Sequence, residues 1–257
     1  MNKIIFTGTG SGYPSRERAC SSFILDTGED LYQFDAGEGF SGSARRLKIK
    51  TDHISKVFIS HLHPDHITGL FLELQLMYLD KRRKTLDIYL PQEGLEIIAK
   101  ATNAFYLFKD KFSFKFTFRP IKSNLVYQGK ELTVMAYPNK HFAHDDGVIK
   151  KNRLPNKMQS YSYIIKYGGT RILYSGDVNG VAELTALIQG VDIVIAEGMH
   201  IEHKPLFELA AERNIKKLIM THLPDKVYNQ AKRIKATALK CGFKNLIMAR
   251  DGLVIKF

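Results

Sequence analysis

Two hydrophobic periods alternate along this chain and divide it into two similarly built halves. Short apolar runs with strand-like spacing predict strands at Lys3 to Thr7, Ser22 to Asp26, Leu31 to Phe34, Lys56 to Ser60 and Leu86 to Leu90. Helical spacing predicts helices at Ser41 to Leu47, His66 to Leu79 and Glu93 to Phe108. In the second half, strands are expected at Leu132 to Tyr137, Ser162 to Tyr167, Arg171 to Ser175, Asp192 to Ala196, Lys217 to Thr221 and Leu253 to Lys256. Helices near Val181 to Ile188, Pro205 to Arg213 and Tyr228 to Cys241 lie among them. This mixture fits an α/β fold with two sheets face to face and helices outside, in a single domain over residues 1–257. No internal repeat, low-complexity tract or linker interrupts it.

Phe112, Phe114, Phe116 and Phe118 alternate with Lys, Ser and Thr, which predicts a strand with one aromatic face. Four exposed phenylalanines would make a large apolar patch, so the face packs into the core, against a second subunit or against substrate. A homodimer is the expected assembly. Gly168-Gly169 between two of the strands predicts a tight hairpin over Lys166 to Thr170.

Length and composition leave room for one sizeable core, with 257 residues of which 44% are hydrophobic. Cys20 and Cys241, the two cysteines, stand far apart, which offers no disulfide framework and points to a reducing compartment. Neither a signal peptide nor a membrane-length apolar run is legible, so a soluble cytoplasmic protein with no membrane partner is expected. The net charge of +12, from 38 Lys and Arg against 26 Asp and Glu, favours anionic partners without choosing among them. The clusters Lys81-Arg82-Arg83-Lys84, Lys150-Lys151 and Lys216-Lys217 read as solvated faces.

The densest chemistry lies in His61-Leu62-His63-Pro64-Asp65-His66, on the loop between a buried strand and a helix. His61 and His63 alternate on extended backbone and can grip one ion together, while Asp65 and His66 turn into the helix toward a neighbouring position. Imidazole with carboxylate suits zinc, then manganese or iron. The bland alternative, Asp65 as a helix cap, leaves three histidines unexplained.

This segment resembles the HxHxDH signature of the metallo-β-lactamase superfamily of binuclear metallohydrolases. Thr7-Gly8-Thr9-Gly10-Ser11-Gly12-Tyr13-Pro14 and Phe34-Asp35-Ala36-Gly37-Glu38-Gly39 resemble the opening of ribonuclease Z and its relatives. Ser175-Gly176-Asp177, Thr221-His222 and Ala249-Arg250-Asp251-Gly252 follow in that family's order. The resemblance implies a four-layer αββα sandwich of two mixed sheets, and two divalent ions, Zn2+ or alternatively Mn2+, with a bridging hydroxide as nucleophile. It also implies a ligand set: His61, His63 and His141 for one ion, Asp65, His66 and His222 for the other, and Asp177 between them. His144, three residues after His141, is the rival for that position. Asp35 is expected to orient one imidazole, and Asp65 to orient the attacking water.

A proton for the leaving alkoxide would come from His203, favoured because it directly precedes Lys204-Pro205 and a helix start, or from His200. Ribonuclease Z carries its RNA-gripping arm where this chain has the Gly168-Gly169 hairpin. The resemblance, without that arm, implies a phosphodiesterase acting on a small nucleotide-derived diester, such as a cyclic nucleotide or short oligonucleotide. The rivals are a transfer-RNA 3′-end endonuclease with RNA as partner, an ester, lactone or lactam hydrolase, and a nucleic-acid-binding protein without catalysis.

Overall fold

The computed structural model describes residues 2–122 and 124–257. It separates into two compact units, one comprising the chain up to Ile121 together with Arg250–Phe257, the other Lys122–Ala249.

The first unit holds strands β1 (Lys3–Gly8), β2 (Ser22–Asp26), β3 (Leu31–Phe34), β4 (Ile54–Phe58), β5 (Leu86–Pro91) and β6 (Phe116–Ile121). The second holds β7 (Asn124–Gln128), β8 (Leu132–Pro138), β9 (Tyr161–Tyr167), β10 (Thr170–Tyr174), β11 (Ile193–Glu197), β12 (Lys217–Thr221) and β13 (Leu246–Met248). The last strand, β14 (Val254–Lys256), returns to the first unit and pairs antiparallel with β1. The sheets run β14-β1-β2-β3-β4-β5-β6 and β13-β12-β11-β10-β9-β8-β7. In each, three antiparallel pairs give way to three parallel ones, at β3/β4 and at β10/β11. The halves thus share one construction that no internal sequence repeat announces.

Each sheet packs helices by the period-two rule. In the first unit Ile24, Val57 and Ile88 meet Phe40 and Ala44 of α1 (Phe40–Arg46) and Leu70, Leu74 and Met77 of α3 (Gly69–Leu79). Between them lies the short α2 (Pro64–Ile67), and α4 (Leu95–Ala104) adds Ile98. The other face carries an aromatic ladder, Phe23, Phe34, Phe58 and Tyr89, with successive rings stacked about 5 Å apart. In the second unit Ile164, Val194 and Leu218 meet Leu206 and Phe207 of α6 (His203–Glu212) and Ile234 and Ala238 of α8 (Ala231–Lys240). Two shorter helices, α5 (Asp146–Asn152) and α7 (Asp225–Tyr228), complete the set.

Several expectations change. The helix expected over His66 to Leu79 breaks at Thr68, whose hydroxyl donates to the Pro64 carbonyl, and α3 restarts at Gly69. A Cβ at Gly69 would collide with the backbone oxygen of Gly37, so this restart is held against the Asp35-Ala36-Gly37 turn. The strand begins later than the aromatic alternation, at Phe116 opposite Leu86, the first residue of β5, whose N–H donates to the Lys115 carbonyl. Phe114 and Phe116 are core residues of the first unit, and Phe112 and Phe118 pack against the same core. That outcome matches the core-facing alternative.

The polar stretch after His141 contains α5, and β7 and β13 are strands the periodicity did not reveal. Arg82 is no solvated residue: it is 1% exposed, and its guanidinium donates to the carbonyls of Thr51, Ile54, Lys84 and Thr85. The Gly168-Gly169 hairpin is as expected, with both residues at positive φ. Among the described residues no helix is long and apolar enough to cross a membrane.

Candidate metal centre

Loops beyond the carboxyl ends of the strands carry the candidate residues in both units, as α/β sheets favour. In the first unit Asp35 follows β3 in the left-handed conformation, φ 55°, which turns its side chain back under the β4–α2 loop. Ser22 Oγ and Gln33 Nε2 both donate to its carbonyl. Its carboxylate accepts from Ser60 N at 2.6 Å and Ser60 Oγ at 2.9 Å, and lies 2.8 Å from His66 Nδ1. Ser60 Oγ also stands 3.0 Å from His61 Nδ1. One buried carboxylate therefore sets two imidazoles through their Nδ1 atoms and turns each Nε2 toward the loop interior, the orientation that carboxylate–histidine pairs give metal ligands.

His61 and His66 are buried and their rings lie 4.1 Å apart, with His63 edge-on to His61 at 4.8 Å. His66 Nε2 is 3.5 Å from Asp65 Oδ2. Two donors each about 2.1 Å from a tetrahedral ion stand about 3.4 Å apart, so this pair is spaced as co-ligands. The capping alternative for Asp65 is not what forms: the N-cap of α2 is His63, and no side chain caps it. A Cβ at Gly12 would lie 3.2 Å from Asp65 Oδ2, so glycine there keeps space open beside this carboxylate. Burial first, then the charge of Asp65, pushes the Cys20 thiol up to about 11, which keeps it protonated and outside the donor set.

In the second unit Asp177 follows β10 through Gly176, whose φ of 54° redirects the chain. His222 follows β12 and is itself left-handed, φ 54°. The Asp177 side chain, 3% exposed, offers a different oxygen to each neighbour: Oδ1 is 3.6 Å from His222 Nδ1 and Oδ2 is 3.8 Å from His141 Nε2. Within this unit Asp177, His200 and His222 place their ligand atoms within 4.8 Å of one another. His144 does not join them; its Nε2 is 3.0 Å from Asn179 Oδ1.

The two proton-donor candidates part company. His200, one-third exposed, has Nδ1 3.3 Å from Glu197 Oε1 and 3.8 Å from Asp177 Oδ2. His203 starts α6, and its Nε2 is 3.0 Å from the Gly198 carbonyl. Glu197 was missed by sequence reasoning. Its buried carboxylate also accepts the N–H groups of Met199 and His200. The available signal was a charge directly after the apolar run Ile193 to Ala196.

The donor set in each unit, imidazole nitrogen and carboxylate oxygen at co-ligand spacing, fits a divalent metal centre. Comparison with known proteins agrees. Ribonuclease Z of Archaeoglobus fulgidus is 26% identical, over 97% of this chain and 95% of its own. Among solved structures, the metallo-β-lactamase fold protein YhfI from Bacillus subtilis gives a TM-score of 0.78 at 18% identity, covering 99% of this chain and 98% of that one. The short form of human tRNase Z gives 0.76 at 20%, with the same coverage. These likenesses establish the metallo-β-lactamase fold. The family described as anti-Pycsar protein Apyc1 matches residues 2–243, nearly the whole sequence, and the chain belongs to that family.

Proposed function

We propose that this chain hydrolyses a small nucleotide-derived phosphodiester, such as a cyclic mononucleotide or short oligonucleotide, at a pair of divalent ions. His61, His63 and His141 would hold one ion, and Asp65, His66 and His222 the other. Asp177 would serve both, and the two-sided placement of its oxygens, one toward His141 and one toward His222, is the observation that carries the reading. Zinc suits the nitrogen-rich set best, with manganese as the alternative. Membership of a metallo-β-lactamase-fold family, and likeness to ribonuclease Z, support a metal-dependent phosphodiesterase. When bound, two such ions supply positive charge at the phosphoryl oxygens and lower the pKa of water from about 15.7 toward about 7.

The protein's own groups do the rest. Asp65, whose Oδ2 lies 3.5 Å from His66 Nε2, would orient the attacking water. His200 delivers the proton to the leaving alkoxide: its Nδ1 lies 3.3 Å from Glu197 Oε1, and partial exposure leaves the ring within reach of substrate. His203, beside the Gly198 carbonyl, is the alternative donor. The tight β9–β10 hairpin offers no extended arm for gripping folded RNA, so binding energy must come from groups near the reacting phosphate, which favours small substrates.

A reducing cytoplasmic setting fits the free thiols Cys20 and Cys241. A homodimer belongs to the same reading and is checked by sedimentation; Phe105 and Tyr106, 58% and 74% exposed, are apolar surface available for it.

The deciding assay loads the purified protein with zinc or manganese. It measures kcat/KM in parallel on a cyclic mononucleotide, a dinucleotide, bis-p-nitrophenyl phosphate, a lactone and precursor transfer RNA. Small diesters should be turned over best. Correctly placed cleavage of precursor transfer RNA without activity on small diesters would establish the ribonuclease Z reading instead.

A further inference from the structure

Two loops of the second unit must hold their side chains in register for Asp177 to face both ways, and neither loop is regular structure at that point. The first, Asn139-Lys140-His141, leaves the end of β8. Its local brace is Asn139, whose side-chain oxygen accepts the His141 N–H at 3.2 Å and whose amide donates to Ser162 Oγ at 3.3 Å. The second, Asp177-Val178-Asn179, leaves β10. Through Ser162 Oγ, which donates to the Ser175 carbonyl, this brace reaches the end of β10, but neither bond ties the backbone of one loop to that of the other.

Glu183 does. It lies in the turn of 3-10 helix Val181–Leu184, half-buried, and its two carboxylate oxygens divide between the loops. Oε1 accepts the backbone N–H of Lys140 and Oε2 that of Asn179, each at 2.7 Å. Both are short, charge-assisted bonds of the stronger class. The donors stand one residue from His141 and two from Asp177. Gly180, with φ 116°, makes the reversal that brings Glu183 back over the loop it has just left, a conformation that a side chain there would strain. A second link runs alongside, from His144 Nε2 to Asn179 Oδ1 at 3.0 Å.

We propose that Glu183 is a positioning residue that latches the His141 loop to the Asp177 loop and so sets the spacing at which Asp177 can serve two ions, with His144 as an auxiliary link. The proposal rests on the metal reading above and goes beyond it. It assigns a role to a carboxylate outside every motif, and to the histidine that is not a ligand. Without the latch, His141 keeps its own Asn139 turn but loses its registration to Asp177. Because Asp177 serves both ions, both binding steps should then weaken, and the step that also uses His141 should weaken more, since both of its loops are held by Glu183.

The test compares wild type with Glu183→Ala, Glu183→Gln and His144→Ala in two measurements. Hydrogen exchange of the metal-free proteins should show the Lys140 and Asn179 amides losing protection in Glu183→Ala, and partly in Glu183→Gln, which keeps one acceptor oxygen. Zinc titration, followed by competition with a chromogenic chelator, should show one of two binding steps weakened by about 10- to 100-fold, the usual cost of losing a group that supports a ligand. The other step should weaken less. Cobalt substitution should alter the visible bands of one site more than those of the other, and His144→Ala should give a smaller effect of the same kind. Unchanged exchange with two unchanged binding steps would overturn the latch, as would equal weakening of both. A wild-type protein that takes up no zinc would sink the metal reading instead, while the exchange comparison still decides whether Glu183 holds the loops together.

Discussion

Glu73 offers the sharpest quantitative prediction. It sits on α3, fully buried in the first unit, with Gln33 Nε2 donating to its Oε2 at 3.0 Å. Burial pushes its carboxyl up to about 8 from an ordinary 4.5, and the Gln33 bond and the Arg82 charge only partly oppose that. An acid raised this way stabilises the fold most while it is protonated in both states. Stability is therefore full below about pH 4.5 and falls as the unfolded chain ionises. It stops falling once the folded carboxyl also ionises near pH 8. At about 1.4 kcal/mol per pH unit, the loss is about 1 kcal/mol at pH 5 and about 4 kcal/mol at pH 8. Glu73→Gln replaces the acid with a neutral isostere that can exchange amide bonds with Gln33, so it removes this dependence. Urea unfolding of both proteins in chelator, from about pH 5 to pH 8.5, should show the variant's advantage growing by about 4 kcal/mol, while the histidine titrations common to both cancel. A difference between the two proteins that stays flat across that range would refute the argument that Glu73 is neutral in the core.

Three further outcomes follow from the sites. Elemental analysis of the zinc-reconstituted protein should find close to two ions per chain, and Asp177→Asn should lower both occupancy and kcat, because the residue faces two histidines. His200→Ala should slow the departure of an alkyl alkoxide by about 10² to 10⁴ with much less effect on p-nitrophenolate, which leaves without a proton; the same selective loss in His203→Ala alone would assign the proton to His203. Gly37→Ala should lower the melting temperature and metal uptake together, since the added Cβ would collide with the Asp65 backbone oxygen.

Much of this protein was legible in order along the chain. The short apolar runs located β2, β3 and β12 to the residue, because strands buried on both faces are apolar almost throughout and end where polar residues begin. The histidine and aspartate of the metal motif were legible for a related reason: three imidazoles and a carboxylate within six residues have few structural uses. Short-range conformational rules also transferred, as the Gly168-Gly169 hairpin shows.

What the sequence could not determine is whatever depends on partners distant in the chain. Val254–Lys256 reads as one more strand of the second half, yet it joins β1, because pairing is decided by which edge is open and not by proximity in sequence. Phe112 and its neighbours needed the starting point of β5 before their own strand could be bounded. Arg82 looks like its lysine neighbours until four carbonyls converge on it. His141 was favoured over His144 in sequence only by its place nearer the strand end, and the fold brings His141 within 3.8 Å of Asp177 and His144 to Asn179. Glu197, Glu183 and Glu73 are single carboxylates with no motif around them. Their roles come from burial and from the backbone N–H or side-chain groups that tertiary structure brings within hydrogen-bond reach, and a linear pattern does not encode that.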